Sequence, residues 1–295
     1  MSSLGCYAAR LARSAAACVL LGGCASAPPA ALYATPSSRQ VAPSRSEGPP
    51  SSARDVAQRY AQGERNFDGV QMASWDLQGV GLESVSLRGA NLSRADLRGA
   101  QLTASDLSQA NLSEAQLEKA ALSNATLRGA QLQGITAFEA LLFEADLTQA
   151  ALDGAQLNHA NLQHADLSAA KLPRASLRLS LLHTAVLRDA DLSGADLRET
   201  ALPEADLEGA NLSGAYLVYA DLGRAFVAGA SFAGAILCKA IMTVVEPQKA
   251  NFQGARYGND TKWPTGFDPR AHGAVLDPCC ADKHFETACA RSPGD

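Results

Sequence analysis

The sequence predicts an all-β solenoid, a square β-helix of about ten coils, and three observations support this prediction. A five-residue unit repeats from 65 to 257 without insertion or deletion. Nearly every unit has Leu or another apolar residue at its centre and a small residue, usually Ala, two positions earlier. The apolar fraction is 47% but the aromatic fraction only 5%, which suits a narrow core of Leu and Ala. A period of five fits neither a helix nor an alternating strand.

Each unit is expected to form one side of a square coil, with its centre and its small residue pointing inward and the other three residues outward. Four units make one coil of twenty residues, and successive coils are separated by about 4.8 Å. Asp or Asn often precedes the centre, where its side chain can bond neighbouring backbone at the turn. Examples are Asp96, Asn111, Asp166 and Asn211.

One corner of the predicted square is rich in glycine. Of the nine residues that stack there, from Arg94 to Gly254 at intervals of twenty, six are Gly, as a type II turn with positive φ favours. The repeated unit resembles the A(D/N)LXX motif of the pentapeptide repeat family, over about two thirds of the chain. The resemblance implies a right-handed quadrilateral β-helix.

Residues 1–23 have the pattern of a secretory signal peptide, a basic start followed by a short apolar run. The run ends in Leu21-Gly22-Gly23-Cys24, which resembles the lipobox of bacterial lipoproteins. The resemblance implies that Cys24 is lipidated and becomes the first residue of the mature chain. Ala25, rather than Asp, follows it, which is typical of lipoproteins delivered to the outer membrane. The expected location is therefore the bacterial envelope, anchored by lipid and facing the periplasm.

Two short segments separate the anchor from the repeat. Residues 24–53 are rich in Pro, Ser and Ala and are expected to form a disordered tether. Ser52 can cap a helix from about Ala53 to Gln62, with Val56 and Tyr60 on one face. We assign this N-terminal cap helix to 54–64, because the first coil of a solenoid exposes apolar surface that must be covered.

The repeat is expected to stop at Tyr257, and 258–295 to form an irregular C-terminal cap with a Cys-containing tail. This segment looks like the closing segment of many pentapeptide repeat proteins. Trp263 and Phe267 are large apolar side chains on a proline-stiffened turn, so both are suited to plug the open end of the last coil.

Four cysteines remain near the C-terminus, which is an even number in an exported protein. Disulfides are therefore expected, with three ways of pairing them. A bridge between adjacent cysteines is strained, so one of Cys279 and Cys280 should join Cys289 and the other should join Cys238. The alternative is a metal site that uses His284 and the three tail cysteines, but it lacks the usual C-x-x-C spacing.

Departures from the repeat mark candidate interaction surfaces. Ala137 is an undersized centre beside Ile135, which favours a local bulge or a filled cavity over a binding patch. Leu179 and Leu181 also point outward by register. The residues proposed to form interaction surfaces are Phe138, Leu141, Phe143, Tyr216, Val218, Tyr219, Phe226, Ile236 and Ile241.

The sequence shows no nucleophile and base pair, no phosphate-binding loop and no metal-binding triad, so no catalytic residue, cofactor or metal is predicted. His159 and His164 fall at matching positions on adjacent sides and are expected to be ordinary surface residues. The net charge is -5 with both signs interspersed, which does not favour nucleic acid as a partner.

These features predict a non-enzymatic, lipid-anchored envelope scaffold that binds an envelope protein not identifiable from the sequence, with a homodimer through the C-terminal coils as a further expectation. The alternative comes from the family resemblance. Some members mimic DNA and protect type II topoisomerases in the cytoplasm. Here the repeat lacks a dominant negative charge and the export signal leads away from the cytoplasm, so we favour the first prediction.

Overall fold

The computed structural model describes residues 48–281, except for the side chains of 279 and 281. Its helices and strands are α1 (Ala53–Ala61), β1 (Arg256–Tyr257), β2 (Val275–Leu276) and three 3-10 helices at Pro247–Lys249, Arg270–His272 and Pro278–Ala281. Within this part of the chain, no helix has the length and apolar character needed to cross a membrane. The predicted signal peptide, Cys24 and Cys289 lie outside the described residues.

Between α1 and β1 the chain forms a four-sided β-helix. Single parallel bridges join residues that are twenty positions apart, and they stack into four ladders. We number the sides by the residues that begin the ladders, namely Asn66 for the first side, Gln71 for the second, Asp76 for the third and Gly81 for the fourth. The predicted period of five, with four units in a coil, is therefore confirmed.

The core follows the predicted pattern, with the Leu centres and the Ala positions buried along the whole repeat. A few Ala positions carry a hydroxyl instead, and there the hydroxyl donates to a buried carbonyl. Ser105 Oγ donates to the carbonyl of Leu82 at 2.8 Å, and Thr200 Oγ1 donates to that of Leu177 at 2.8 Å. Because each hydroxyl has an acceptor, its burial costs little.

Positive φ is present at all four corners, not only at the glycine-rich one. Glycines adopt it, but so do non-glycine residues at the other corners, such as Lys119 and Asn124, with φ of 59° and 58°. A side chain in this region costs about 1 kcal/mol or more. The corner is held by one bond to the next coil and one bond across the turn, since Lys119 N donates to Phe138 O at 2.9 Å and Ala120 N donates to Leu117 O at 3.0 Å. The ladder therefore imposes the turn on residues that disfavour it.

Asp and Asn before the centre act as the sequence predicts. The side-chain oxygen of Asp96 accepts from the backbone N–H of Arg98 at 3.2 Å, and that of Asp166 accepts from the N–H of Ser168 at 2.9 Å. Asn111 and Asn211 make the same bond. This side-chain bond satisfies an N–H at each turn that the ladder does not use.

The repeat is interrupted once, so the expectation of an unbroken register is wrong at that point. Val245 bridges Phe226, 19 positions away, one residue earlier than the period requires. Pro247 occupies the next centre and has no N–H to donate to the ladder, so the chain forms the Pro247–Lys249 helix instead. The bridge between Ser231 and Asn251 restores the interval of twenty.

At the N-terminal end, α1 covers almost the whole predicted helix. The side chain of Ser52 accepts from Asp55 N, and the helix ends at Ala61. Val56 is fully buried in the same apolar cluster as Phe67, the first centre of the repeat, and Tyr60 packs against that cluster. The side chains of Val56 and Tyr60, four positions apart on one face of the helix, therefore both face the core as predicted.

At the C-terminal end, aromatic side chains stack on the last Phe centre. The rings of Phe232 and Phe252 lie 5.1 Å apart, and Trp263 and Phe267 lie 5.3 Å and 5.7 Å from Phe252. The chain then returns to the third side, where β2 pairs in parallel with β1. The ladder of the third side therefore continues past the predicted end of the repeat at Tyr257.

Candidate interaction surface

The C-terminal end of the third side is covered by the chain itself. Cys238 and Cys280 form a disulfide with their Cα atoms 5.2 Å apart, across a sequence separation of 42. The two cysteines pack with Val218 and Ile236 into a separate buried cluster. The tail cysteine that pairs with Cys238 in the structure is Cys280. The predicted partner Cys289 lies outside the described residues.

The disulfide also bears on the alternative metal site, because it takes up the sulfur of Cys280. His284 and Cys289, which that site requires, lie outside the described residues. Among residues 48–281, no group of three or more His, Cys, Asp or Glu side chains is placed to hold a metal ion.

The predicted C-terminal surface is therefore partly wrong. Val218 is only 1% exposed and Ile236 only 8%, because the tail lies over them. The sequence register correctly places both side chains outward, but it does not reveal which segment folds back over them.

The other predicted residues near this end do not form one surface. Tyr216 and Ile241 are half-buried, whereas Tyr219 and Phe226 are exposed. Phe226 belongs to the ladder of the first side, and Ile241 to that of the fourth. These residues therefore point in different directions around the coil.

The predicted residues in the middle of the repeat do come together. Leu141 is 46% exposed and belongs to the fourth-side ladder, where Asn161 separates it from Leu181, which is 38% exposed. Phe143 is half-buried beside this ladder, and Phe138 and Leu179 are exposed at the edge shared with the third side. The sequence prediction named Leu181 and Leu179 only as departures, yet they extend the same apolar patch.

We call this region the open face. It comprises the fourth-side ladder from Gln101 to Ala201 and the outward residue two positions after each ladder residue. Its members are Gln101, Thr103, Ala121, Ser123, Leu141, Phe143, Asn161, Gln163, Leu181, His183, Ala201 and Pro203. None of them is Asp, Glu, Lys or Arg. The open face is therefore an uncharged strip with an apolar centre, bordered by Glu144 and Glu204 at the corner with the first side.

The first side has the opposite character. Three of its ladder aspartates pair with an arginine of the preceding coil, in the pairs Asp106 with Arg88, Asp146 with Arg128 and Asp206 with Arg188. Burial alone raises the pKa of Asp146, but hydrogen bonds from Thr148 and Arg128 outweigh it and lower that pKa below its usual value. Charges on the first side are thus largely paired within the chain.

The open face lacks, at its two leucines, a stabilising feature that many turns of the other sides have. Leu141 and Leu181 occupy the ladder position at which Asp or Asn elsewhere accepts a backbone N–H, and leucine has no acceptor. Between them, Asn161 retains the bond and accepts from Gln163 N at 3.1 Å. Two exposed leucines in place of turn-stabilising residues are not explained by the stability of the coil.

Two histidines pack against the aromatic residues at the edges of the open face. The rings of Phe138 and His159 lie 5.0 Å apart, and those of Phe143 and His164 lie 5.3 Å apart. From the sequence alone, both histidines are expected to be ordinary surface residues. In each pair the histidine follows the phenylalanine by 21 positions, which is one coil and one residue, so a search for ring side chains at that interval would have found both pairs.

Beneath Phe138, the core contains a small void. Ala137 replaces a Leu centre and leaves a cavity of about 10 Å³, lined only by apolar residues that include Leu117, Leu142 and Ile135. Thr136 keeps its regular bridges to both neighbouring coils, so there is no bulge, and the cavity expected to be filled by neighbouring side chains is filled only in part. Ile135 stands at a position that is usually Ala and supplies part of the missing volume.

Comparison with solved structures finds other repeat proteins of this kind. The chain is 33% identical to HetL, a pentapeptide repeat protein involved in heterocyst differentiation regulation from the cyanobacterium Nostoc, over 77% of this chain and 93% of HetL, with a TM-score of 0.48. It is 18% identical to QnrB1, a plasmid-mediated fluoroquinolone resistance protein, over 66% and 91% of the two chains, with a TM-score of 0.40. No curated protein matches.

A family model gives the most direct assignment. The model for pentapeptide repeats matches in 8 copies, over 66–103, 76–113, 100–136, 140–178, 180–217 and 190–226. These matches cover more than half of the chain. Between 66 and 226 they omit only 137–139 and Leu179. The chain belongs to the pentapeptide repeat family.

Proposed function

We propose that this protein is a non-enzymatic interaction module of the bacterial envelope, anchored by lipid at Cys24 on the periplasmic face of the outer membrane. In this proposal the repeat is a right-handed rod of about ten coils, closed at one end by α1 and at the other by the C-terminal segment. The observation that carries the proposal is the open face, an uncharged strip of the fourth side on which Leu141 and Leu181 are exposed.

Exposed leucines on a flat face support binding rather than catalysis. An exposed apolar patch is typical of a surface that another protein covers, because its burial releases water from apolar area. The open face contains no carboxylate, and its single histidine, His183, has no neighbouring nucleophile within the face. The face therefore has the composition of a contact surface and lacks the groups that acid–base chemistry requires.

Two features support the proposed location. The segment Leu21–Cys24 has the residues of a lipobox directly after an apolar run. The disulfide between Cys238 and Cys280 is of the kind that persists in oxidising compartments such as the periplasm and is rare in the cytoplasm. A lipid anchor at Cys24 and a tether up to residue 53 would hold the rod near the membrane surface.

The location is tested by labelling cells that express the full-length chain with radioactive palmitate and then separating their membranes. We expect label on this protein and recovery in the outer-membrane fraction. The matched control is Cys24→Ser, which should remove both the label and the membrane association while leaving the repeat intact. Unlabelled, soluble protein from the unsubstituted chain would contradict the proposed anchor.

The same experiment separates this proposal from the alternative of a cytoplasmic DNA mimic. A duplex mimic needs a strongly negative surface. On the first side, however, Asp106, Asp146 and Asp206 are each paired with an arginine. These pairs weaken the negative field that such mimicry requires.

A further inference from the structure

We propose that the open face binds a second copy of this chain, with the two rods antiparallel and a two-fold axis passing beside Asn161. The proposal names the partner of the surface described above and so rests on the proposed interaction role. It differs from the sequence-based expectation, which placed a homodimer at the C-terminal coils. The evidence is the order of residues along one ladder.

That order is symmetric. Along the fourth side, five successive ladder residues are Ala121, Leu141, Asn161, Leu181 and Ala201, joined by parallel bridges. The series has the same residue types in either direction, with Asn161 at its centre. Rungs of a β-helix are evenly spaced at about 4.8 Å, so symmetry in the list is also symmetry in space.

A two-fold axis makes use of this symmetry. The axis lies between the two faces, perpendicular to the rods and level with Asn161, and it turns one rod end over end onto the other. Each ladder then faces itself in reverse order, as an isologous contact requires. Leu141 faces Leu181 of the second copy, and Asn161 faces its own equivalent. An amide carries both donors and acceptors, so two asparagine side chains can bond each other.

The residues two positions after the ladder residues form a second column of the open face, and the two-fold axis also turns this column onto itself in reverse order. Phe143 faces His183 of the second copy and Gln163 faces its equivalent, which places ring against ring and amide against amide. A surface that contacts itself must also avoid like charges, because such pairs are repulsive when water is removed. The open face, which has no charged residue, meets this requirement.

At the edge shared with the third side, the same axis places Lys119 opposite Glu199 of the second copy, a favourable pair that forms twice. Both side chains are exposed and have partners in their own chain, Glu139 for Lys119 and Arg178 for Glu199. One opposition at this edge is unfavourable, because Glu139 faces Leu179. The edge therefore favours the antiparallel arrangement only modestly.

The size of the face limits the strength of the dimer. Around an axis level with Asn161, the matched rungs run from Ala121 to Ala201, which is four steps or about 19 Å, and Gln101 beyond them faces Asp221. A stable interface buries about 800 Å² on each partner, so the strip needs the edge residues Phe138 and Leu179 to approach that area. We therefore expect a weak dimer, and the test traps it covalently.

The test uses single cysteine substitutions in the purified full-length protein and a thiol cross-linker with a spacer of roughly 5 Å, half the distance of about 10 Å between packed sheets. Asn161→Cys should give a cross-linked dimer on a non-reducing gel. Leu141→Cys alone and Leu181→Cys alone should give at most background, because the like residues are offset by about two rungs, or 10 Å. A mixture of these two variants should cross-link. The unsubstituted chain, with its native cysteines, sets the background.

A second variant tests the face without impairing the fold. Leu141→Asp with Leu181→Asp introduces the residue that the family motif has at these positions, so the monomer should fold normally. We expect this pair to reduce cross-linking through Asn161→Cys by at least about tenfold, since it places charges in the apolar centre. Gln131→Asp, at an exposed ladder position of the second side, is the matched control and should leave cross-linking unchanged.

The outcomes are distinct. No cross-linking of Asn161→Cys above background overturns the dimer. Cross-linking of Leu141→Cys with itself as strong as that of the mixture overturns the antiparallel arrangement. If position 161 cross-links in membranes only to other envelope proteins, the second copy is excluded as the occupant while the interaction role stands. Failure of palmitate labelling at Cys24 affects the proposed anchor alone.

Discussion

Two regions of this molecule carry apolar residues at outward positions of the repeat, and they differ in what happens to those residues. On the third side near the C-terminus, Val218 and Ile236 are covered by the chain's own tail. On the open face, Leu141 and Leu181 remain exposed. An outward apolar residue in a repeat therefore indicates that something covers it, but it does not indicate whether the cover is the same chain or another one.

The cover on the third side has two attachments. β2 pairs with β1 and extends the ladder, and the disulfide between Cys238 and Cys280 holds the segment that follows. Arg256 and Asp277 add an ion pair between the last repeat unit and the tail. The open face has no equivalent within residues 48–281, which is why we assign its cover to a second molecule.

The largest effect is expected from removing the disulfide. Replacing both Cys238 and Cys280 with Ala should cost about 4 kcal/mol, because the bridge closes a loop of 42 residues and loop entropy favours the linked chain. Val218 and Ile236 should then become accessible and the third side should resemble the open face. Guanidinium unfolding measures the loss, and hydrogen exchange of the amides near Ile236 measures the exposure.

The control for this double substitution is the unsubstituted protein with its disulfide reduced. Reduction should give the same increase in amide hydrogen exchange near Ile236. Amide exchange near Leu141 should not change. If the exchange near Ile236 stays slow without the disulfide, then β2 and the ion pair hold the cover by themselves.

A smaller effect on the free energy of unfolding is expected from placing an aspartate on the covered third side and, in a separate variant, on the open face. Val218→Asp should destabilise the protein by about 3 kcal/mol, because it buries a carboxylate without a partner. Leu141→Asp should instead be neutral or stabilising by about 0.5 kcal/mol, because aspartate at a ladder position accepts a backbone N–H. Thermal or denaturant unfolding of the two variants side by side measures the difference. Equal destabilisation would show that Leu141 is also part of the folded core.

The smallest effect concerns the core beneath Phe138. Ala137→Leu alone should be mildly destabilising, because Ile135 already occupies part of the space, and it should be tolerated better when Ile135→Ala is present. We expect a coupling energy of about 1 kcal/mol in a double-mutant cycle. Additive effects would mean that the two side chains do not share the cavity.

Much of the fold was predictable from single residues. The Leu centres, the Ala positions and the Asp or Asn at the turns each recur with the same environment, so a local pattern implies a repeated contact. Ser52 and Val56 likewise predicted α1, since capping and helical spacing are local properties. The shift at Val245 was missed because its cause, the missing N–H of Pro247, matters only once the ladder exists.

The candidate site was predictable only in part. The register places Phe138 and Leu141 outward, and both are exposed. It also places Val218 outward, and that side chain is buried by a segment about sixty residues further along the chain.

The sequence by itself thus determined the repeat, the composition of each side and which side chains point away from the core. These follow from a period of five, because the same local geometry recurs in every unit. Only the tertiary structure decided which outward residues stay exposed and which of them are neighbours. The tail covers the third side through Cys280, and the ladder aligns Leu141, Asn161 and Leu181 on one face. Both features depend on contacts between residues that are distant in the sequence, and a local pattern does not encode such contacts.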